Sequence, residues 1–126
     1  MVSASLTILR AGIVLLLAAA LASCSSHGAE ELLLDQFFSA SRLRDRTALQ
    51  QISTVIFEPL EQGTVSEFTI VTVADVEESS GGVVSKQVTV SAPVRLPDGQ
   101  TATKKILLVL QRRDRWIVTG FTVGSG

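Results

Sequence analysis

An α+β domain is what this sequence predicts, with two N-terminal helices packed on a long, curved, four-stranded antiparallel sheet. Three observations predict it. Between residues 30 and 52 the apolar side chains recur at the spacing of an amphipathic helix. From residue 64 the spacing changes to alternation, and β-branched residues dominate. Turn-forming stretches then divide this second half: "ESSGG" at 78–82, "PDG" at 97–99 and Arg113-Asp114.

The chain opens with a leader. Residues 1–10 carry the α-amine and Arg10 as positive charges, residues 11–21 are aliphatic apart from Gly12, and Ala22 and Ser23 are small. A basic start, a short apolar run and small residues at a cut site make up an export signal, predicted over 1–23. The apolar run falls short of the about 20 residues that span a bilayer's hydrocarbon. It ends in Leu21-Ala22-Ser23-Cys24, which resembles the lipobox of bacterial lipoproteins. In that family the thiol receives a diacylglycerol, the signal is cut before the cysteine, and the new amine is acylated, commonly by palmitate. The resemblance therefore implies that Cys24 is the lipid-attachment residue and the first residue of the mature chain. Ser25 follows where an Asp often retains such proteins in the inner membrane. The implied address is the periplasmic face of the outer membrane in a diderm cell, or the outer face of the plasma membrane in a monoderm one. Residues 24–29 are then a short tether, and residues 30–126 a single domain with one core. Cys24 is the only cysteine, so no intramolecular disulfide is available to that core.

Residues 30–43, "EELLLDQFFSASRL", read as the first helix. Glu30, Glu31 and Asp35 lie near its start, where the helix dipole favours negative charge. Leu34, Phe37, Phe38 and Ser41 form the inward stripe, widened by Leu33 and Ala40. Phe37 and Phe38 are core residues first, and candidate pocket or interface residues second. Asp45 reads as the N-cap of a shorter helix to about Ser53, packed through Ala48, Leu49 and Ile52. Arg42, Arg44 and Arg46 bracket the turn between the helices and are expected to be solvated, with contact to anionic headgroups as the alternative.

The first strand is predicted over residues 64–77, with Phe68, Ile70, Thr72, Ala74 and Val76 on one parity. The second runs over 83–96, with Val84, Val88, Val90, Ala92 and Val94 on one face and Ser85, Gln87, Thr89 and Ser91 on the other. Lys86 breaks the apolar parity and is placed near an open end. Pro93 cannot donate to a ladder, which predicts a bulge or an edge position. The third strand covers 101–112, and its "ILLVL" centre is apolar on both parities, so Leu107 and Val109 are candidate interface residues. Trp116 starts the last strand, as a core plug or as a pocket lid or interface anchor. Gly120 marks a bend within it.

Composition narrows the chemistry. Eleven Lys and Arg face twelve Asp and Glu, a balance that gives no basic face for nucleic acid. There is no Tyr, and the one His, His27, lies in the tether. A histidine-based acid–base mechanism or a Ser-His-Asp triad is therefore not expected, nor is a Cys/His metal site or any cofactor. Glu77 and Glu78 read as solubilising. Glu67 and Asp75 are the carboxylates left for an acid–base pair.

"FFSASRLRDRTALQQI" and "DRWIVTGF" resemble the opening and the last strand of the nuclear transport factor 2-like superfamily, with Asp45 at the acidic turn between the two helices. The resemblance runs over roughly residues 29–123. It implies a curved sheet wrapped around helices, forming a cone with a pocket. The segment between Ser53 and Thr64 is shorter than the extra helix and small hairpin of the complete fold, which leaves the pocket's depth open. A cystatin-like roll is the alternative architecture. The function expected is that of a membrane-anchored, exported, non-catalytic binding or assembly module, with an envelope protein or a second copy as partner. A small enzyme using carboxylates on a hydrophobic substrate, and a purely structural envelope lipoprotein, are the alternatives.

Overall fold

The first helix begins at Gly28, two residues earlier than the sequence predicts and inside the stretch 24–29 read as a tether. The computed structural model describes residues 27–79 and 81–125. The predicted leader, residues 1–23, and Cys24 lie outside them. Helix α1 spans Gly28–Leu43 and buries Leu34, Phe37, Phe38, Ala40 and Ser41, the stripe expected from their spacing. It stops at Arg44, which adopts a left-handed conformation with φ 51°. The Asp45 N–H donates to the Ala40 carbonyl at 2.9 Å and the Arg44 N–H to that of Ser41 at 3.1 Å, two bonds that close the helix end. Asp45 then caps α2 (Arg46–Ile52) by accepting from the Ala48 N–H at 3.1 Å.

Arg42, Arg44 and Arg46 around this turn are exposed, as expected, and two of them also make polar contacts. Arg42 donates to the Val65 carbonyl at 3.0 Å, and Arg44 pairs with Glu58 at 2.6 Å. The Arg44 hydrogen bond holds the Glu58 carboxyl below its ordinary range. The linker after α2 also holds more structure than expected. A short helix, α3 (Pro59–Gln62), opens on a proline whose missing N–H costs nothing there. Ahead of it, Phe57 is buried, and its N–H donates to the buried Ser41 hydroxyl at 3.0 Å. Thr54 donates to the Val118 carbonyl at 2.9 Å, docking this linker on the last strand.

The strand predicted over 64–77 is instead three pieces: β1 (Thr64–Val65), β2 (Thr69–Val73) and β3 (Glu77–Glu78). All three pair antiparallel with one strand, β4 (Val84–Arg95). Two features break the expected parity. The first break falls opposite Ala92 and Pro93, which have no registered partner between the Val65–Val94 and Thr69–Ser91 pairs. Pro93 has no N–H to offer a ladder there, so it occupies a local edge inside a central strand. The second is a register shift between Ile70 and Thr72. The extra residue, Val71, turns outward, and Val73 takes the inward place expected of Thr72. Phe68 and Ile70 keep their inward parity, while Thr72, Ala74 and Val76 are exposed.

β4 and β5 (Thr101–Arg112) form a continuous hairpin from Val84–Arg112 to Arg95–Thr101. Its turn closes through the Leu96 N–H donating to the Gln100 carbonyl at 2.7 Å, with Gly99 at φ 90°. β6 (Trp116–Ser125) completes the order, with β4, β5 and β6 adjacent and β1 to β3 along the far side of β4. Its register jumps between Val109–Gly120 and Leu110–Val118, so the expected bend at Gly120 is a bulge carrying Thr119 as the extra residue.

The chain is therefore α+β, with helices held against the inner face of a curled antiparallel sheet. Val88, Val90, Ala92, Val94, Ile106, Leu108, Leu110 and Val118 supply the sheet's share of the core. Five phenylalanines join it to the helices. Phe38 lies 5.4 Å from Phe57 edge to face and 5.6 Å from Phe68, and Phe37 packs 5.4 Å from Phe38. Aromatic pairs at such distances add to the area they bury.

Candidate functional site

The first turn of α1 meets the ends of β4, β5 and β6, and the polar groups of the inner face converge there. Lys86 sits at an apolar-parity position of β4, opposite Leu110, so its side chain points inward beside the core. A lone ammonium there would be costly, and two partners meet it. Its Nζ donates to Glu30 Oε1 at 2.6 Å and lies 4.2 Å from the centre of the Trp116 ring. The two charged side chains are 10% and 14% exposed, so this pair is largely shielded from water. Ala29, Leu33 and Leu110 complete the wall of a small cavity of about 120 Å³ around them.

The electrostatics follow from this packing. Burial alone would raise the Glu30 carboxyl, but the hydrogen bond and charge of Lys86 outweigh it, and the carboxyl sits below its ordinary value of 4.5. Folding thus favours the ionised form. The stabilisation is present above 4.5 and is lost as pH falls through the lower folded value. Lys86→Met leaves Glu30 without its partner and is expected to cost about 2 kcal/mol near neutral pH. Denaturant unfolding at a series of pH values checks it. The gap between wild type and Lys86→Met should narrow below pH 4.5, and a gap independent of pH counts against the pair.

The predicted site residues fall in three places. Trp116 is half-buried at this mouth, as a lid over Lys86. Phe37 and Phe38 are 0% and 3% exposed and belong to the core. Leu107 and Val109 are half-buried on the opposite, outer face, between Thr89 and Gln87 of β4 and Thr122 and Gly120 of β6. Trp116 and the Leu107–Val109 patch therefore cannot form one site. Cys24 lies outside the described residues.

The carboxylates do not gather as an acid–base pair. Glu67 and Asp75 lie beyond opposite ends of β2. Glu67 instead joins Glu31 and Asp35 along an open groove of about 510 Å³, floored by Leu32 and Phe68, and all three carboxylates are exposed. Among the described residues no group of three or more His, Cys, Asp and Glu is arranged to hold a metal ion.

Sequence reasoning marked Lys86 as an exception but not its partner. The two are 56 residues apart, and nothing local links a glutamate in a first helical turn to a lysine in a strand. At the mouth, an ion pair already neutralised and covered by an indole can orient a ligand or a neighbouring chain. No protein family matches the sequence, and neither do curated proteins or solved structures.

Proposed function

We propose that this chain is an exported lipoprotein, held to a membrane through Cys24, whose domain works as a non-catalytic binding or assembly module. The observation that carries the reading is the placement of the only cysteine, after Leu21-Ala22-Ser23 at the end of a short apolar run. A buried, inert cysteine would sit in an apolar segment, whereas Cys24 is followed by Ser25, Ser26 and His27. One acyl chain binds a bilayer only marginally, and two or more make attachment stable.

The geometry adds a consequence. Helix α1 begins at Gly28, so about 15 Å of extended chain at most separates Cys24 from the start of the helix whose first turn carries Glu30 of the mouth. Recognition at that mouth would take place close to the lipid. An envelope protein or a second copy is the partner class that fits the reading, with the outer-face residues Leu107 and Val109 as a further contact surface.

Replacing Cys24 with Ser tests the anchor. The expected result is loss of acylation and accumulation of uncut precursor, read by mass spectrometry of the N-terminal peptide. A mature chain that starts elsewhere and keeps an unmodified thiol refutes it.

A further inference from the structure

Charges at the open end of the sheet sort into two sides. Arg112 ends β5, and Arg113 and Arg115 lie in the turn that leads to Trp116. All three are exposed, and neither ion pair among the described residues involves them. Asp114 is the one acidic residue within the turn. Glu77 and Glu78 belong to the same end but lie on β3, beyond β4: Glu78 registers with Val84, and Val84 with Arg112. Two strand spacings, roughly 10 Å, separate their backbone from β5, with Glu78 and Arg112 on the same face to either side of Val84. Within the turn itself three arginines outnumber one aspartate, so the turn is net positive.

Its position relative to the tether is set by the pair described above. Glu30, in the first turn of α1, holds Lys86, and Lys86 lies under Trp116, the residue that ends the arginine turn. The chain enters α1 at Gly28, and the next two residues, Ala29 and Glu30, line one cavity with Lys86 and Trp116, so the arginine turn lies close to the point of entry. Gly28 itself lines the acidic groove of Glu31, Asp35 and Glu67, so a basic and an acidic surface both border the start of the domain.

We propose that the β5–β6 turn docks on anionic phospholipid headgroups through Arg112, Arg113 and Arg115, and so fixes which side of the domain faces the membrane. This rests on the lipid-anchor reading. Guanidinium groups bind phosphate oxygens in bidentate fashion, and an indole next to them suits the interface between headgroup and acyl chain. The mouth at Lys86 and Trp116 then opens toward the headgroups, while the outer face with Leu107 and Val109 stays clear for a partner.

Trp116 is the only tryptophan in the 126 residues, so its fluorescence reports on this turn alone. The purified processed chain is reconstituted into vesicles of phosphatidylcholine, with or without phosphatidylglycerol, carrying a nitroxide at headgroup depth. Strong quenching is expected in the anionic vesicles and weak quenching in the neutral ones. High salt should erase the difference, as should the combined Arg112→Gln, Arg113→Gln and Arg115→Gln variant, whose thermal transition should match wild type. For chain added to vesicles without an acyl group, affinity should fall about fivefold for each arginine replaced. Quenching that is the same in both vesicle types, or unchanged in the variant, overturns the proposal. The intact mass of the same preparation judges the anchor separately. An unmodified Cys24 with arginine-dependent vesicle binding removes the anchor and keeps the docking surface. A lipidated Cys24 with quenching indifferent to lipid charge does the opposite.

Discussion

Replacing Val90 with Asp abolishes the cooperative thermal transition of the domain. Val90 is 0% exposed, in the centre of β4, with Ile70 on one side in register and Ile106 on the other. A carboxylate there has no partner and must either stay charged in an apolar site or take up a proton. The effective penalty for burying an unpaired ion is several kcal/mol, set against a total stability of about 5–15 kcal/mol for a domain of ordinary size. With Cys24 as the sole cysteine, no disulfide offsets the loss. Val90→Ala is the graded control: it removes two methyl groups, costs about 2 kcal/mol and leaves a folded protein. Circular dichroism during heating separates the two. An unchanged transition in Val90→Asp would mean that β4 faces the other way.

Gly63→Ala is expected to have an effect of comparable size for a different reason. Gly63 follows α3, has φ 92° and ψ −162°, and packs so closely that an added Cβ would collide with the Arg95 carbonyl. That backbone region is essentially closed to residues with a side chain and costs about 1–3 kcal/mol by itself, with the clash added. The neighbour is backbone at the end of β4, paired with Thr64, so it cannot swing aside without breaking the β1 ladder. Gly82 supplies the comparison. It also has positive φ, at 76°, but nothing lies within 4 Å of where its Cβ would be. Gly82→Ala should cost about 1–2 kcal/mol. Equilibrium unfolding of the two variants should rank them clearly, and equal losses would show that the approach between Gly63 and Arg95 is looser than described.

How much of this was readable in the sequence depends on how far each determinant reaches along the chain. Asp45 caps α2 through a bond to Ala48, and the Gly99 turn closes between Leu96 and Gln100. Such signals span a few residues, and both were legible. The parity of β4 was legible too, because Val88, Val90, Ala92 and Val94 repeat without interruption. The first strand was not, since one extra residue at Val71 reverses the parity of everything after it, and "TIVTV" reads equally well in either phase. Phe57 lay in a linker without periodicity, and only its fit against Ser41 and Phe38 makes it core. At the candidate site, Trp116 and Lys86 each stood out alone. That they meet depends on β4, β5 and β6 lying side by side, which no short-range pattern encodes.

The long β4–β5 hairpin has a consequence for the order of folding. Its two strands of 12 residues close across a short turn, so little chain entropy is lost before the ladder begins to form. Helix α1 meets the sheet through contacts such as Glu30–Lys86, separated by 56 residues, and loop closure of that length comes late. The hairpin is thus the expected nucleus, and α1 the element that docks last. By the same logic the end of the domain next to Gly28 is the first to open under load. A pull applied at the start of α1 would act on the part of the domain with the fewest local reasons to stay folded, and the hairpin behind it would hold.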